Sequence, residues 1–137
     1  MNTTSTMLIT RTGAAAGLAV SGYIHAELYV HGYRVVPNIG PMFLLLAAAS
    51  FAVALLLLIG GPPVMLRLGA AALAAGALGG FALSRTIGVL GFTERGLQPA
   101  PQALISVLAE AATLILLAAP LLTHHARRTQ PASPGQR

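Results

Sequence analysis

The amino-acid sequence predicts an all-α transmembrane four-helix bundle with both termini in the cytoplasm. Of the 137 residues, 55% are hydrophobic and only 8% are charged, whereas a soluble domain carries about 25% charged residues. Four segments approach the ~20 consecutive apolar residues that a membrane-spanning helix needs, and turn-forming residues separate them. The apolar excess therefore has to face lipid, because a chain of this length cannot bury it in one soluble core.

The four predicted spans are separated by chemically distinct breaks. The spans cover residues 12–30, 42–59, 64–90 and 102–122. The first is the most polar, the second is almost entirely Leu, Ala and Phe, and the third is rich in Ala and Gly. Residues 37–41 (Pro-Asn-Ile-Gly-Pro) and 60–63 (Gly-Gly-Pro-Pro) are turn sequences. The second of these turns is short, so the second and third helices are expected to be antiparallel neighbours.

The domain prediction follows from these breaks. Residues 1–122 form a single transmembrane domain, and the longest predicted connection, residues 91–101, joins its last two helices. From residue 123 onward the chain is dominated by His, Arg, Pro, Ser and Gln. A segment of that composition cannot bury enough apolar surface to fold, so residues 123–137 are predicted to be a disordered cytoplasmic tail.

Arginine positions predict the orientation, because loops on the cytoplasmic side are enriched in basic residues. With four crossings, one side of the membrane receives Arg11, Arg67, Arg127, Arg128 and Arg137. The other side receives Arg34 and Arg95. The split of five against two places both termini in the cytoplasm. The expected location is the bacterial plasma (inner) membrane, with the protein as a multi-pass component.

Small residues at steps of four predict where the helices touch. The first helix carries Gly17 and Ser21, and the third carries Gly76, Gly80 and Ser84. Small side chains permit close backbone approach between helices in lipid. A contact between two copies of the chain would use the same chemistry and stays open as an alternative. The second helix has no such stripe and is predicted to be the most exposed to lipid.

Four ionisable residues inside the predicted spans form a candidate polar cluster, namely His25, Glu27, Arg85 and Glu110. Ionisable groups within a membrane are costly and are functional candidates by default. Helical side chains tilt toward the N-terminus of their helix, so Arg85 and Glu110 lean toward each other on antiparallel helices. This predicts an ion pair between them. Structural pairing and ordinary interhelical hydrogen bonding are the alternatives to a binding or transport role.

Composition argues against several chemistries. The chain contains no Cys and no Lys, which removes disulfides, thiolate metal sites and Schiff bases. His25 and His31 lie on one helix, roughly 9 Å apart along it and on different sides. The two imidazoles therefore cannot both coordinate the iron of one haem within a monomer. No metal site, cofactor or catalytic constellation is predicted, and the protein is not expected to be an enzyme. The scattered charge of +5 argues against nucleic-acid binding.

Residues 32–34 (Gly-Tyr-Arg) and 37–44 (Pro-Asn-Ile-Gly-Pro-Met-Phe-Leu), preceded by His25 and Tyr29, resemble small four-span integral membrane proteins of actinobacteria. The resemblance covers residues 1–60 and, by hydropathy, the remainder. It implies a fold and a location but no activity. The small multidrug transporters share the size and the span count. They carry a glutamate mid-way along the first helix, unlike this chain, so that assignment is not adopted.

The expected function is that of a small integral plasma-membrane protein without catalytic activity. It would be a structural or accessory subunit that contacts the lipid bilayer and either a larger membrane complex or further copies of itself. The alternative is a small transporter or ligand-binding protein that uses a polar pocket in the outer half of the bundle. A packed interior favours the first function, and a cavity that joins the polar cluster favours the second.

Overall fold

The computed structural model describes residues 3–61 and 63–128, and the side chains of residues 5–61 and 63–120. Within these ranges the chain folds into four α-helices and a short 3₁₀ helix. The α-helices are α1 (Thr3–His31), α2 (Ile39–Ile59), α3 (Pro63–Ser84) and α4 (Gln102–Arg128), and the 3₁₀ helix is Tyr33–Val35. The all-α, four-helix prediction is confirmed. The helices α2 and α3, and the Gln102–Pro120 part of α4, are long and apolar enough to cross a membrane.

Two helices extend beyond their predicted ends. Helix α1 begins at Thr3, nine residues before the predicted start of the first span. Helix α4 continues to Arg128, so residues 123–128 of the predicted tail have a helical backbone. The rest of that tail, residues 129–137, lies outside the described residues.

Helix α3 ends earlier than predicted, because its last carbonyls bind partners in the connection that follows. The Gly88 N–H donates to the Leu83 carbonyl at 2.8 Å, and the Glu94 N–H donates to the Ser84 carbonyl at 2.9 Å. Gly88 has a φ of +84°, a left-handed conformation that ends helices. The predicted span to residue 90 is therefore too long. Arg85 lies in the connection of residues 85–101 and not inside a helix.

Helix α1 packs lengthwise against both α2 and α4. A Cβ atom at Gly17 would overlap the Thr113 side chain on α4, and one at Gly22 would lie 3.2 Å from the Ser50 Cβ atom on α2. Glycines at these two positions therefore allow the neighbouring helices to approach. Gly17 therefore lies at the contact between α1 and α4.

Helix α2 exposes most of its large apolar side chains, but it also has a buried face, so the prediction that it has no packing stripe is wrong. Its buried residues include Ala47, Ser50, Ala54 and Leu57, which recur every three or four positions and so share one face. This face meets α1 in the most extensive helix–helix interface of the described chain. The stripe is hard to see in the sequence because Leu and Phe occupy the remaining faces.

The end of the bundle near the α2–α3 connection contains the hydrophobic core. Its buried residues are Ala14, Ala15, Leu18, Ala54, Leu57, Leu66 and Ala70. The Arg11 guanidinium donates to the carbonyls of Leu57 and Leu58, which satisfies backbone groups that the end of α2 leaves without helical partners. Gly60 then turns the chain with a φ of +96°. The dense packing is therefore concentrated at this end.

Candidate functional site

The opposite half of the bundle contains a partly open cavity of about 520 Å³, which we call the Glu110 cavity. All four helices, the 3₁₀ helix and the 85–101 connection contribute to it, and most of its lining is apolar. Its polar lining residues are His25, Tyr33, Ser84, Arg85, Glu94, Ser106 and Glu110. The volume falls within the 300–1,000 Å³ that is usual for small-molecule sites.

Glu110 is the deepest charged group of the cavity, with 2% of its surface exposed. Its Oε1 atom accepts hydrogen bonds from Ser21 Oγ at 2.9 Å and from Ser106 Oγ at 2.6 Å. Both bonds end on Oε1, so Oε2 keeps its lone pairs. Ser106 lies one helical turn before Glu110 on α4, whereas Ser21 comes from α1. The carboxyl group is therefore held by two hydroxyl donors from two helices, without a cation.

His25 is linked to the same network through Ser21. Its Nδ1 atom lies 2.8 Å from the Ser21 carbonyl oxygen, and a carbonyl can only accept, so Nδ1 carries the hydrogen. In the neutral imidazole Nε2 is then an acceptor. The ring also packs at 5.0 Å from the Phe43 ring. When Glu110 is ionised and His25 is neutral, the free polar atoms at this end of the cavity, Glu110 Oε2 and His25 Nε2, are both acceptors.

The 85–101 connection lines the other end of the cavity. Arg85 Nη1 lies 3.0 Å from Glu94 Oε2, and Glu94 Oε1 accepts a hydrogen bond from the Tyr33 hydroxyl. Arg85 also donates to the carbonyls of Gly96 and Gln98. Its guanidinium Cζ lies 3.8 Å from the centre of the Phe81 ring, in cation–π range. The donors of Arg85 are thus engaged by the connection itself.

Aromatic rings join this connection to α2 and the 3₁₀ helix. Tyr33 stacks on Phe43 with ring centres 4.6 Å apart, and Phe92 meets the edge of Tyr33 at 5.7 Å. Burial and the neighbouring Glu94 carboxylate raise the pKa of the Tyr33 phenol, and the nearby Arg85 offsets part of this. Tyr33 therefore remains a neutral donor to Glu94.

Gly76 and Gly80 of α3 border the cavity and not a neighbouring helix. A Cβ atom at Gly76 or Gly80 would have no atom within 4 Å, and both residues line the Glu110 cavity. The prediction that they mark close helix packing is therefore wrong. Ser84 is buried, but its hydroxyl donates to the Phe81 carbonyl one turn earlier. The stripe on α3 provides space for the cavity.

The structure brings three of the four predicted cluster residues to this cavity, namely His25, Arg85 and Glu110. Glu27 is not among the lining residues, and its Oε1 atom accepts a long hydrogen bond from Gln102 Nε2 at 3.4 Å. The predicted ion pair between Arg85 and Glu110 is wrong. Because α3 ends at Ser84, the Arg85 side chain follows the connection and pairs with Glu94.

Sequence reasoning missed Tyr33 and Glu94 as site residues and assigned Ser21 only a packing role. A signal for Glu94 was available, because the chain contains only three acidic residues and Glu94 lies in the longest connection. Tyr33 and Phe92 gave no signal, because their contact joins residues far apart in the chain.

Among the described residues, no group of three or more His, Asp, Glu or Cys side chains is arranged to hold a metal ion. The chain matches no protein-family model, no curated protein and no solved structure. The function is therefore inferred from the side chains that line the Glu110 cavity.

Proposed function

We propose that this chain is an integral protein of the bacterial plasma membrane that binds a small amphiphilic amine inside its helix bundle. The observation that carries the proposal is the Glu110 cavity, an apolar chamber of about 520 Å³ with a carboxyl group at one end. Such a shape suits a ligand with an apolar body and one polar group. The expected role as a structural or accessory subunit stays a prediction, but it gives no reason for such a chamber.

The free polar atoms of the cavity select the chemistry of the ligand. Ser21 and Ser106 already donate their hydroxyl hydrogens to Glu110, and the Arg85 donors are engaged at the other end. Glu110 Oε2 and His25 Nε2 remain as acceptors. A ligand group that donates hydrogen bonds therefore fits, whereas a carboxylate or phosphate does not.

The negative charge of an ionised Glu110 favours a ligand with an ammonium group over one with a neutral hydrogen-bond donor. In the described part of the chain no cation pairs with Glu110, since the ion pair found there joins Arg85 to Glu94. An unpaired charge at the centre of a spanning helix costs about 2.5–3.5 kcal/mol on insertion scales. A bound ammonium would supply the missing counter-charge and gain a charge-assisted hydrogen bond.

The proposed topology has four spans and cytoplasmic termini. Helix α1 is 29 residues long, about 43 Å at 1.5 Å per residue, and it packs along α2 and α4. We assign it as the fourth span on these grounds. The arginine distribution then places the 85–101 connection and the Glu110 cavity on the extracytoplasmic side.

The proposal is tested with naphthylmethylammonium, a fluorescent primary amine, and with ethylnaphthalene, its uncharged isostere. Both are titrated into the full-length protein in zwitterionic nanodiscs, and empty nanodiscs are subtracted. Glu110→Gln should weaken binding of the ammonium by about tenfold or more, the value of one charge-assisted contact, and should leave the isostere unchanged. Equal binding of the ammonium by the wild type and by Glu110→Gln would contradict the role of the carboxylate.

The cavity itself is tested with two matched glycine variants of α3. Gly80→Leu fills the chamber and should abolish binding of both probes. Gly79→Leu is the control, because a Cβ atom at Gly79 also meets nothing within 4 Å and Gly79 is not among the lining residues. If the two variants bind the probes equally well, the binding site lies elsewhere.

A further inference from the structure

A second cavity, of about 260 Å³, lies at the other end of the bundle, and we call it the arginine cavity. Its lining includes Arg11 of α1, Arg67 of α3, Leu57 of α2 and Leu117 of α4. It lies beside the α2–α3 connection, far along the helices from the 85–101 connection. It is thus separate from the Glu110 cavity and independent of the function proposed for that cavity.

The two arginines of this cavity retain hydrogen-bond donors. Arg11 uses its Nε and one Nη2 hydrogen on the carbonyls of Leu57 and Leu58, which fixes the guanidinium and leaves further N–H groups among its five. Arg67 is half-buried and makes no hydrogen bond or ion pair within the described part of the chain. A fixed guanidinium and a free one therefore border the same space.

None of the three glutamate side chains lies near this pair. The whole chain contains three acidic residues, and they are Glu27 near the end of α1, Glu94 in the 85–101 connection and Glu110 at the other cavity. The N-terminus of α3 borders the arginine cavity as well, and helix N-termini favour negative charge. An anion from outside the chain would supply the counter-charge at this end.

The surroundings of the arginines are apolar and uncovered. Met7 and Leu8 line the cavity, and both are about half exposed. Met65, two residues before Arg67, and Leu68, directly after it, are 73% and 66% exposed. A free inorganic anion would not contact these exposed apolar side chains, whereas the acyl chains of a lipid would cover them. The partner that fits both features is an anion with a long apolar part.

We propose that Arg11 and Arg67 bind the phosphate of an anionic phospholipid whose acyl chains lie along the exposed apolar residues beside them. Basic pockets between membrane helices on the cytoplasmic side bind acidic headgroups in this way. The guanidinium fork matches phosphate oxygens, which favours arginine in both positions. The site would order lipid at the end of the bundle opposite the Glu110 cavity.

The test measures binding of phosphatidylglycerol to the detergent-purified full-length protein by native mass spectrometry, with phosphatidylcholine as the uncharged comparison. Arg67→Gln should weaken binding of phosphatidylglycerol by about tenfold, as expected for the loss of one charge-assisted contact. Arg34→Gln is the matched control, because it removes the same charge from the exposed 3₁₀ helix at the other end. Circular dichroism establishes that both variants are folded.

Three results would overturn the proposal. The first is equal binding of phosphatidylglycerol by Arg67→Gln and Arg34→Gln. The second is binding of phosphatidylcholine as tight as that of phosphatidylglycerol, which would mean that charge is not recognised. The third is displacement of the lipid by inorganic phosphate at the same concentration, which would assign the arginines to a free anion.

Discussion

Glu94 and Glu110 are carboxyl groups of the same type in opposite surroundings. Glu94 is held by Arg85 and by the Tyr33 hydroxyl, so its charge is compensated within the protein. Glu110 is held by two serine hydroxyls, which stabilise a carboxylate by hydrogen bonds but bring no positive charge. This difference makes Glu94 a structural group of the connection and leaves Glu110 as the group that needs a proton or a cationic ligand.

A double-mutant cycle distinguishes these two roles. Arg85→Leu and Glu94→Leu should each destabilise the protein, and the double variant should be less destabilised than the sum by about 1 kcal/mol, since the pair is only partly exposed. The measurement is the free energy of unfolding in detergent. The cycle of Arg85→Leu with Glu110→Leu is the control and should be additive. Coupling in the control cycle would restore the contact between Arg85 and Glu110.

The ionisation of Tyr33 gives a pH prediction. Its pKa is raised in the folded protein by burial first and by Glu94 second, so the folded state keeps the proton at pH values where the unfolded chain loses it. The stability that this provides is fully present below the ordinary phenol pKa of about 10. It is lost as the pH rises above that value, because the unfolded state then binds fewer protons.

Tyr33→Phe removes this contribution and provides the measurement. The thermal stability of the wild type should fall more steeply than that of Tyr33→Phe as the pH is raised above about 10. Ultraviolet difference absorbance between the two proteins should place the Tyr33 transition above the ordinary phenol range. Parallel stability curves would mean that the hydrogen bond to Glu94 does not persist in solution.

Glycines of α1 and α3 have opposite roles in the same bundle. In α1, Gly17 and Gly22 face neighbouring helices so closely that a side chain would collide or press against them. In α3, Gly76 and Gly80 face open space. The sequence pattern of small residues at steps of four is the same in both helices. A glycine stripe packs against another helix only where a helix lies on that side of the bundle, and the tertiary arrangement alone determines this.

Matched alanine substitutions test the two roles. Gly17→Ala should lower the free energy of unfolding by about 1–3 kcal/mol, the usual cost of overpacking, because its Cβ atom would overlap the Thr113 side chain. Gly76→Ala should be neutral or stabilising by up to about 1 kcal/mol, since alanine favours a helix and nothing obstructs it. Similar losses in the two variants would show that α3 packs as tightly as α1.

At the scale of the whole molecule, the hydrophobic core and the larger cavity lie in opposite halves of the bundle. The core of α1, α2 and α3 residues lies near the α2–α3 connection, together with Arg11 and Arg67. All three acidic residues and the larger cavity lie in the other half. The packing that stabilises the protein is therefore separated along the helices from the chamber assigned to a ligand.

Hydropathy and turn residues were sufficient to predict the four helices, because span length and proline-rich breaks are local properties. They also identified His25 and Glu110 as candidate site residues, because ionisable residues are rare within an apolar segment. The partner of Arg85 could not be predicted, because it depends on where α3 ends. That end is set by hydrogen bonds from Gly88 and Glu94, whereas the predicted ion pair assumed that α3 continues past Arg85. The cavity could not be predicted because it is space that four helices leave between them.

The proposed orientation belongs to the whole molecule and is tested by reporter fusions. Arg11 and Arg67, which the proposed topology assigns to the cytoplasm, line one cavity, and the backbone of α4 runs toward that same end. Alkaline phosphatase, which is active only outside the cytoplasm, should be inactive when fused after Arg128, and green fluorescent protein fused there should fluoresce. Phosphatase fused after Gly96 in the 85–101 connection is the control and should be active. An active fusion after Arg128 together with an inactive one after Gly96 would invert the protein and place the Glu110 cavity on the cytoplasmic side.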